Sequence, residues 1–86
     1  MKTKSSEIIG KRIKALRTAK NLTLRELADT ATNYMPDDRK IGFSAIAYYE
    51  KGRSADLDVL NALCKALDVD MMDILSEAFK KSQNKK

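Results

Sequence analysis

Thr23-Leu24-Arg25-Glu26 stands directly ahead of Leu27, Ala28 and Ala31. A threonine followed three residues later by glutamate is a capping box. Its hydroxyl accepts an orphan amide of the first turn, and the carboxylate reaches back to the cap amide. A helix therefore begins after Thr23. Its inward face, Leu27, Ala28 and Ala31, is made mostly of small residues, which let a second helix approach closely. Upstream, Ile9, Ile13 and Leu16 recur at i, i+4 and i+7 and give one apolar stripe to a helix over residues 6–20. Lys11, Arg12, Lys14 and Arg17 fall largely off that stripe. Asn21 supplies a left-handed stop for this first helix, and Leu22 tucks under its end.

Downstream, residues 32–41 contain the turn formers Asn33, Pro36, Asp37 and Asp38 and read as a loop. A third helix over residues 43–51 turns Ile46 and Tyr49 inward and ends at Gly52, a left-handed cap. A fourth opens at Asp56 and runs to Leu67 with an apolar stripe of Leu57, Leu60, Leu63 and Leu67. A fifth opens at Asp70 and carries Met71, Ile74, Leu75 and Phe79. No strand-like alternation and no internal repeat occurs. The fold class this predicts is all-α, a five-helix orthogonal bundle over residues 6–79, followed by a basic, flexible tail over residues 80–86.

Composition narrows the chemistry. With 86 residues there is room for one domain. One cysteine and no histidine leave no intramolecular disulfide, and they remove zinc fingers and histidine-based acid/base catalysis. No apolar run is long enough to cross a bilayer, and the first residues lead into an amphipathic stretch and not into a signal-peptide core. A cytoplasmic protein without membrane association is expected. Asp37-Asp38 reads as a turn and not as a catalytic carboxylate pair. Asp68, Asp70 and Asp73 lack the glycine and bidentate glutamate of a calcium loop and read as caps. Cys64, next to Leu63, reads as a small buried hydrophobe. No metal, cofactor or small-molecule ligand is expected, and no enzymatic activity, since a Gly-rich phosphate loop is also missing.

The net charge of +5 is segregated. Residues 1–53 hold twelve Lys/Arg against six Asp/Glu, whereas residues 54–77 hold six acids against one base, Lys65. Lys80, Lys81, Lys85 and Lys86 close the chain. A basic face with an acidic remainder suits a polyanion such as nucleic acid.

The blocks Leu16-Arg17, Asn21-Leu22-Thr23, Arg25-Glu26-Leu27-Ala28, Ile46 with Tyr49-Glu50-Lys51-Gly52, and Leu57, Leu60, Ala66-Leu67 and Val69 follow one another in order. Together they resemble the phage Cro/C1 repressor-type (XRE) helix-turn-helix proteins over roughly residues 8–76. The resemblance implies a lambda-repressor-like bundle whose third helix enters the major groove of double-stranded DNA. The turn between the second and third helices departs from the family pattern. About eight extra residues, near 32–39, lengthen it and either extend the second helix or form a wing beside the duplex. Leu24, Phe43 and Ala45 also stand where the family often has Gln or Ser.

Aligned on that resemblance, the groove-facing positions are Phe43, Ser44, Ala45, Ala47 and Tyr48. Ser44 and Tyr48 offer hydrogen bonds. Phe43 and Ala45 offer apolar contact, best with thymine methyls, so an A·T-containing half-site is expected. Phe43 has an alternative place under the long loop. Thr23, Leu24 and Arg25 at the start of the second helix, Lys40 before the third, and Lys51 and Arg53 after it are the expected backbone contacts. Arg17 and Glu50 are expected to form the partly buried pair that similar proteins use to join the first helix to the third. Met72, Leu75 and Phe79 are the expected homodimer contact, giving a repressor on a palindromic operator. A protein-interaction module that keeps the fold but not the DNA binding, antitoxin-like or binding another protein partner, stays open. RNA binding is disfavoured by the lack of a stacking platform.

Overall fold

The computed structural model describes residues 4–83, and the side chains of residues 5–80. Five helices follow in order: α1 Lys4–Ala19, α2 Leu24–Thr32, α3 Phe43–Glu50, α4 Leu57–Ala66 and α5 Met71–Gln83. No strand forms among the described residues. Each element begins or ends where its local chemistry requires. Thr23 Oγ1 accepts from the Glu26 amide at 3.0 Å, and Glu26 Oε1 accepts from the Thr23 amide at 2.9 Å, so both halves of the capping box close. Asp56 accepts from the Val59 amide at 2.9 Å and caps α4. Asp70 accepts from Met72 in the first turn of α5.

Three helices stop in the same way. After α1, α3 and α4 the chain turns left-handed at Asn21 (φ 58°), Gly52 (φ 111°) and Asp68 (φ 61°). The amide just beyond each bonds back five residues: Leu22 to Arg17, Arg53 to Tyr48, and Val69 to Cys64. This pairing satisfies the orphan carbonyls of the last turn. Asp68 is therefore a helix stop and not an N-terminal cap, a place an aspartate tolerates because its short side chain eases the left-handed region.

The core gathers Ile13 from α1, Leu27, Ala28 and Ala31 from α2, Ile46 from α3, Leu60, Leu63 and Leu67 in and just after α4, and Ile74 from α5. α1 packs on α3 and α5, α2 on α3 and α4, and α4 on α5. Two expectations are corrected. Leu57 is exposed, because the helix starts at that residue and turns it away; Val59, Ala62 and Cys64 fill the inward face instead. α5 runs on to Gln83, so the tail expected from residue 80 starts as helix; residues 84–86 lie outside the described residues.

The lengthened turn does not extend α2, which stops at Thr32. Asp37 and Asp38 both adopt left-handed backbone, at φ 55° and 59°. The loop then folds back on the body. Thr32 Oγ1 accepts from the Ile41 amide at 3.0 Å and donates to the Ala28 carbonyl, while Ile41 is buried. Arg39 reaches the α4 start, 3.2 Å from both Asp56 Oδ2 and Asp58 Oδ2.

Candidate nucleic-acid interface

α3 has the shape and exposure of a helix that meets something. Only Ile46 is fully buried; Tyr49 packs partly against the core, Ala45 and Ala47 are half-buried, and Phe43, Ser44 and Tyr48 are exposed. Ala45 is thus less available than the sequence suggested. Phe43 is not tucked under the loop: it stands 46% exposed with the Arg25 guanidinium carbon 4.9 Å from its ring centroid. Tyr48 is flanked by Lys51 Nζ at 6.0 Å and the Arg53 guanidinium carbon at 5.2 Å from its centroid. Both are distances at which a cation is attracted to a ring face. The start of α2 thereby meets the start of α3, and the turn after α3 folds back on Tyr48 near its other end. Lys40 is exposed just before α3 and, among the described residues, has no cation–ring contact.

The arginines divide into those with a counter-charge and those without one. Arg12, Arg17 and Arg39 are each paired with a carboxylate. Among the described residues, Arg25, Lys40, Lys51 and Arg53 have no ion pair. Their positive charge is therefore uncompensated within the protein. The amides of α2's first turn add the positive end of a helix dipole beside Thr23, Leu24 and Arg25.

Three contacts hold α3 against α1. Arg17 Nε donates to Glu50 Oε2 at 2.6 Å and Arg17 Nη2 to Glu50 Oε1 at 3.1 Å, a two-pronged pair with side chains only 12% and 7% exposed. Arg17 Nη1 also donates to the Leu22 carbonyl at 2.8 Å, so one guanidinium fixes α1, the turn before α2 and the end of α3. The hydrogen bonds that Arg17 donates to Glu50 hold its pKa above the ordinary value, burial opposes that, and the nearby negative charge adds to it. Ser6 Oγ donates to the Gly52 carbonyl at 2.6 Å. Gly10 lies against the α3 backbone so closely that a β-carbon there would meet the Tyr49 carbonyl oxygen.

Sequence reasoning missed Ser6, Gly10 and Arg39. Gly10 did carry a signal, since a glycine inside a helical pattern costs about 1 kcal/mol against alanine and so points to a packing need. Ser6 and Arg39 carried none, because their partners lie 46 and 17 residues away. Met72, Leu75 and Phe79 share one face of α5, which packs on α1 and α4. Met72 is 62% and Phe79 55% exposed, and Leu75 packs partly on the core.

A five-helix bundle with a capped second helix and an exposed third, matched over residues 13–74 by the helix-turn-helix family profile, settles the assignment. The chain belongs to the Cro/C1-type helix-turn-helix family. This is a family of DNA-binding transcription regulators. Two solved structures are similar to this helix-turn-helix chain, both of the clp gene regulator ClgR from Corynebacterium glutamicum. One has a TM-score of 0.74 at 24% identity and covers 96% of this chain and 81% of its own. The other has a TM-score of 0.73 at 24% identity, covering 95% and 96%. At that identity the likeness establishes the bundle. No curated protein matches the sequence.

Proposed function

We infer that this helix-turn-helix chain is a sequence-specific double-stranded DNA-binding repressor that acts as a homodimer on a palindromic operator. The observation that carries this reading is the set of four basic side chains without ion pairs, Arg25, Lys40, Lys51 and Arg53, around the exposed face of α3. α3 enters the major groove, with Phe43, Ser44 and Tyr48 nearest the base edges and Ala45 behind them. Thr23, Leu24 and Arg25 approach one phosphate strand at the α2 N-terminus, and Lys40, Lys51 and Arg53 flank the other side. Arg17 and Glu50 orient α3 and do not read sequence. Phe43 favours thymine methyls and hence a half-site with A·T pairs.

A single α3 reads only a few base pairs, so two copies on half-sites about one helical turn apart supply the specificity. Met72, Leu75 and Phe79 form the contact between the copies. Bound as a dimer across a promoter, the protein represses by occlusion.

The test is a gel shift on a duplex covering its own promoter region, at several salt concentrations and with excess competitor. If roughly six phosphates are neutralised per dimer, affinity falls about a thousandfold between roughly 50 and 200 mM salt. A competitor-resistant, salt-sensitive shift is expected. A shift that competitor abolishes would leave only general attraction to a polyanion. No shift at low salt would transfer the reading to a protein-interaction module, for which the exposed Phe43 would be a contact. Sedimentation of a monomer at high concentration would remove the dimer.

A further inference from the structure

Arg25 stands in an unusual place for a cation. It is the second residue of α2, where the positive end of the helix dipole disfavours positive charge. The neighbouring carboxylate, Glu26, is engaged with the Thr23 amide, and no carboxylate pairs with Arg25 among the described residues. Its partner is the ring of Phe43, the first residue of α3, with the guanidinium carbon 4.9 Å from the centroid. Ring contact leaves the N–H donors available, because they radiate within the guanidinium plane. Phe43 therefore steadies a planar, two-pronged donor at the N-terminal end of the recognition helix without occupying any of its hydrogen bonds.

The two groups ask for different partners. An exposed ring takes a pyrimidine 5-methyl group, and an arginine fork fits the O6 and N7 acceptors of guanine. Their separation of 4.9 Å is of the order of one base-pair step, about 3.4 Å, so the two groups are close enough to meet adjacent pairs. A ring set against one base pair thus carries the fork to the next.

We propose that Arg25 and Phe43 together read one two-base-pair step of the half-site, with a thymine methyl against Phe43 and the adjacent guanine on Arg25. Arg25 is then a specificity-determining residue and not one more phosphate contact. This rests on the DNA-binding reading above, moves Arg25 from the phosphate strand to a base edge, and narrows the site: the half-site carries a G·C pair beside its thymine.

Selection of the full chain on a random duplex library comes first, and the selected site should contain guanine next to thymine in each half. That guanine is then replaced by 7-deazaguanine, which lacks N7, and separately the thymine by uracil, which lacks the methyl. Wild-type protein should lose roughly 5- to 150-fold in affinity on the first change and a smaller factor on the second. Arg25→Ala should be indifferent to 7-deazaguanine, and Phe43→Ala to uracil. Arg25→Lys keeps the charge without the fork, so it should retain the salt dependence and still lose the guanine preference. Because Arg25 is exposed, unchanged thermal melting is expected to verify that the variants fold. The proposal is overturned if the selected half-site lacks that step, or if Arg25→Ala stays sensitive to 7-deazaguanine. It is also overturned if Arg25→Ala weakens all duplexes equally while the salt slope falls by about one, as for a phosphate contact. Each of these leaves specific DNA binding standing. Failure of the wild type to select any sequence overturns the DNA-binding reading itself.

Discussion

Gly10→Ala probes the joint that sets the recognition helix. A β-carbon at that position would lie 2.3 Å from the Tyr49 carbonyl oxygen and 3.1 Å from that of Glu50. Ordinary contact starts at 3.4 Å, so α1 and α3 must part by about 1 Å. The obstacle is helix backbone, which cannot rotate aside as a long side chain does. Alanine gains about 1 kcal/mol in helix propensity over glycine. Against that stands overpacking of a closed core, about 1–3 kcal/mol. The Ser6–Gly52 hydrogen bond and the Arg17–Glu50 pair cross the same joint, and loosening one hydrogen bond costs about 1 kcal/mol more. The net effect is destabilisation by about 1–3 kcal/mol, or a fall in Tm of roughly 4–24 °C for a domain of this size. Circular dichroism on heating measures it. A gel shift below the melting range should also show weaker operator binding, because α3 no longer sits at its angle. A rise in Tm would mean that only the propensity gain operates and that the two backbones do not meet at Gly10, which refutes the reasoning.

Three other perturbations follow from the same contacts. Glu50→Gln leaves the Arg17 guanidinium buried without its counter-charge and should destabilise by about 2–3 kcal/mol in urea unfolding, whereas Arg17→Met with Glu50→Leu recovers most of that; a single-variant effect below about 0.5 kcal/mol would class the pair with exposed ones. The Val59 amide first, and then Arg39, hold the Asp56 carboxyl below its ordinary value of 3.8. A depressed pKa contributes stability above that value that is lost as pH falls through the folded-state pKa, so Asp56→Asn, which has no charge to lose, should lower the neutral Tm and flatten the acid limb of a Tm-versus-pH curve. An unaltered acid limb would count against it. Burial, with Asp70 adding to it, pushes the Cys64 thiol from 9.0 up to about 11. The folded state holds that proton more tightly, so stability should decline as pH rises above 9.0. At pH values below that, a disulfide-exchange reagent should label Cys64 only as fast as the protein unfolds, and quick labelling of native protein would contradict its burial.

Much of the bundle was legible because its signals are local. The capping box at Thr23, the left-handed stops at Asn21 and Gly52 and the cap at Asp56 act within a few residues, and the described helices begin and end there. The Leu57 stripe position failed for the opposite reason. Periodicity alone assigns it to the core, but it is the first residue of α4 and no element packs over it. At the candidate interface, the residue types at Phe43, Tyr48, Lys51 and Arg53 could be read from the sequence, yet their pairings could not. Arg25 meets Phe43 only because α2 and α3 pack together across a loop of ten residues, numbers 33–42.

The loop itself marks the division. Its turn formers showed that the chain must bend between α2 and α3, since Pro36 and paired aspartates do not continue a helix. They did not show where it would go, because no local hydrogen bond dictates that. The destination is set by Arg39 on the acidic start of α4, Ile41 in the core and Thr32 bracing the return. The sequence by itself determined five helices, their caps and a basic face, all consequences of interactions within one or two turns. Only the tertiary structure decided how closely α1 and α3 approach at Gly10, which arginines are neutralised and which are left facing outward, because those outcomes depend on groups that meet only when the chain has folded.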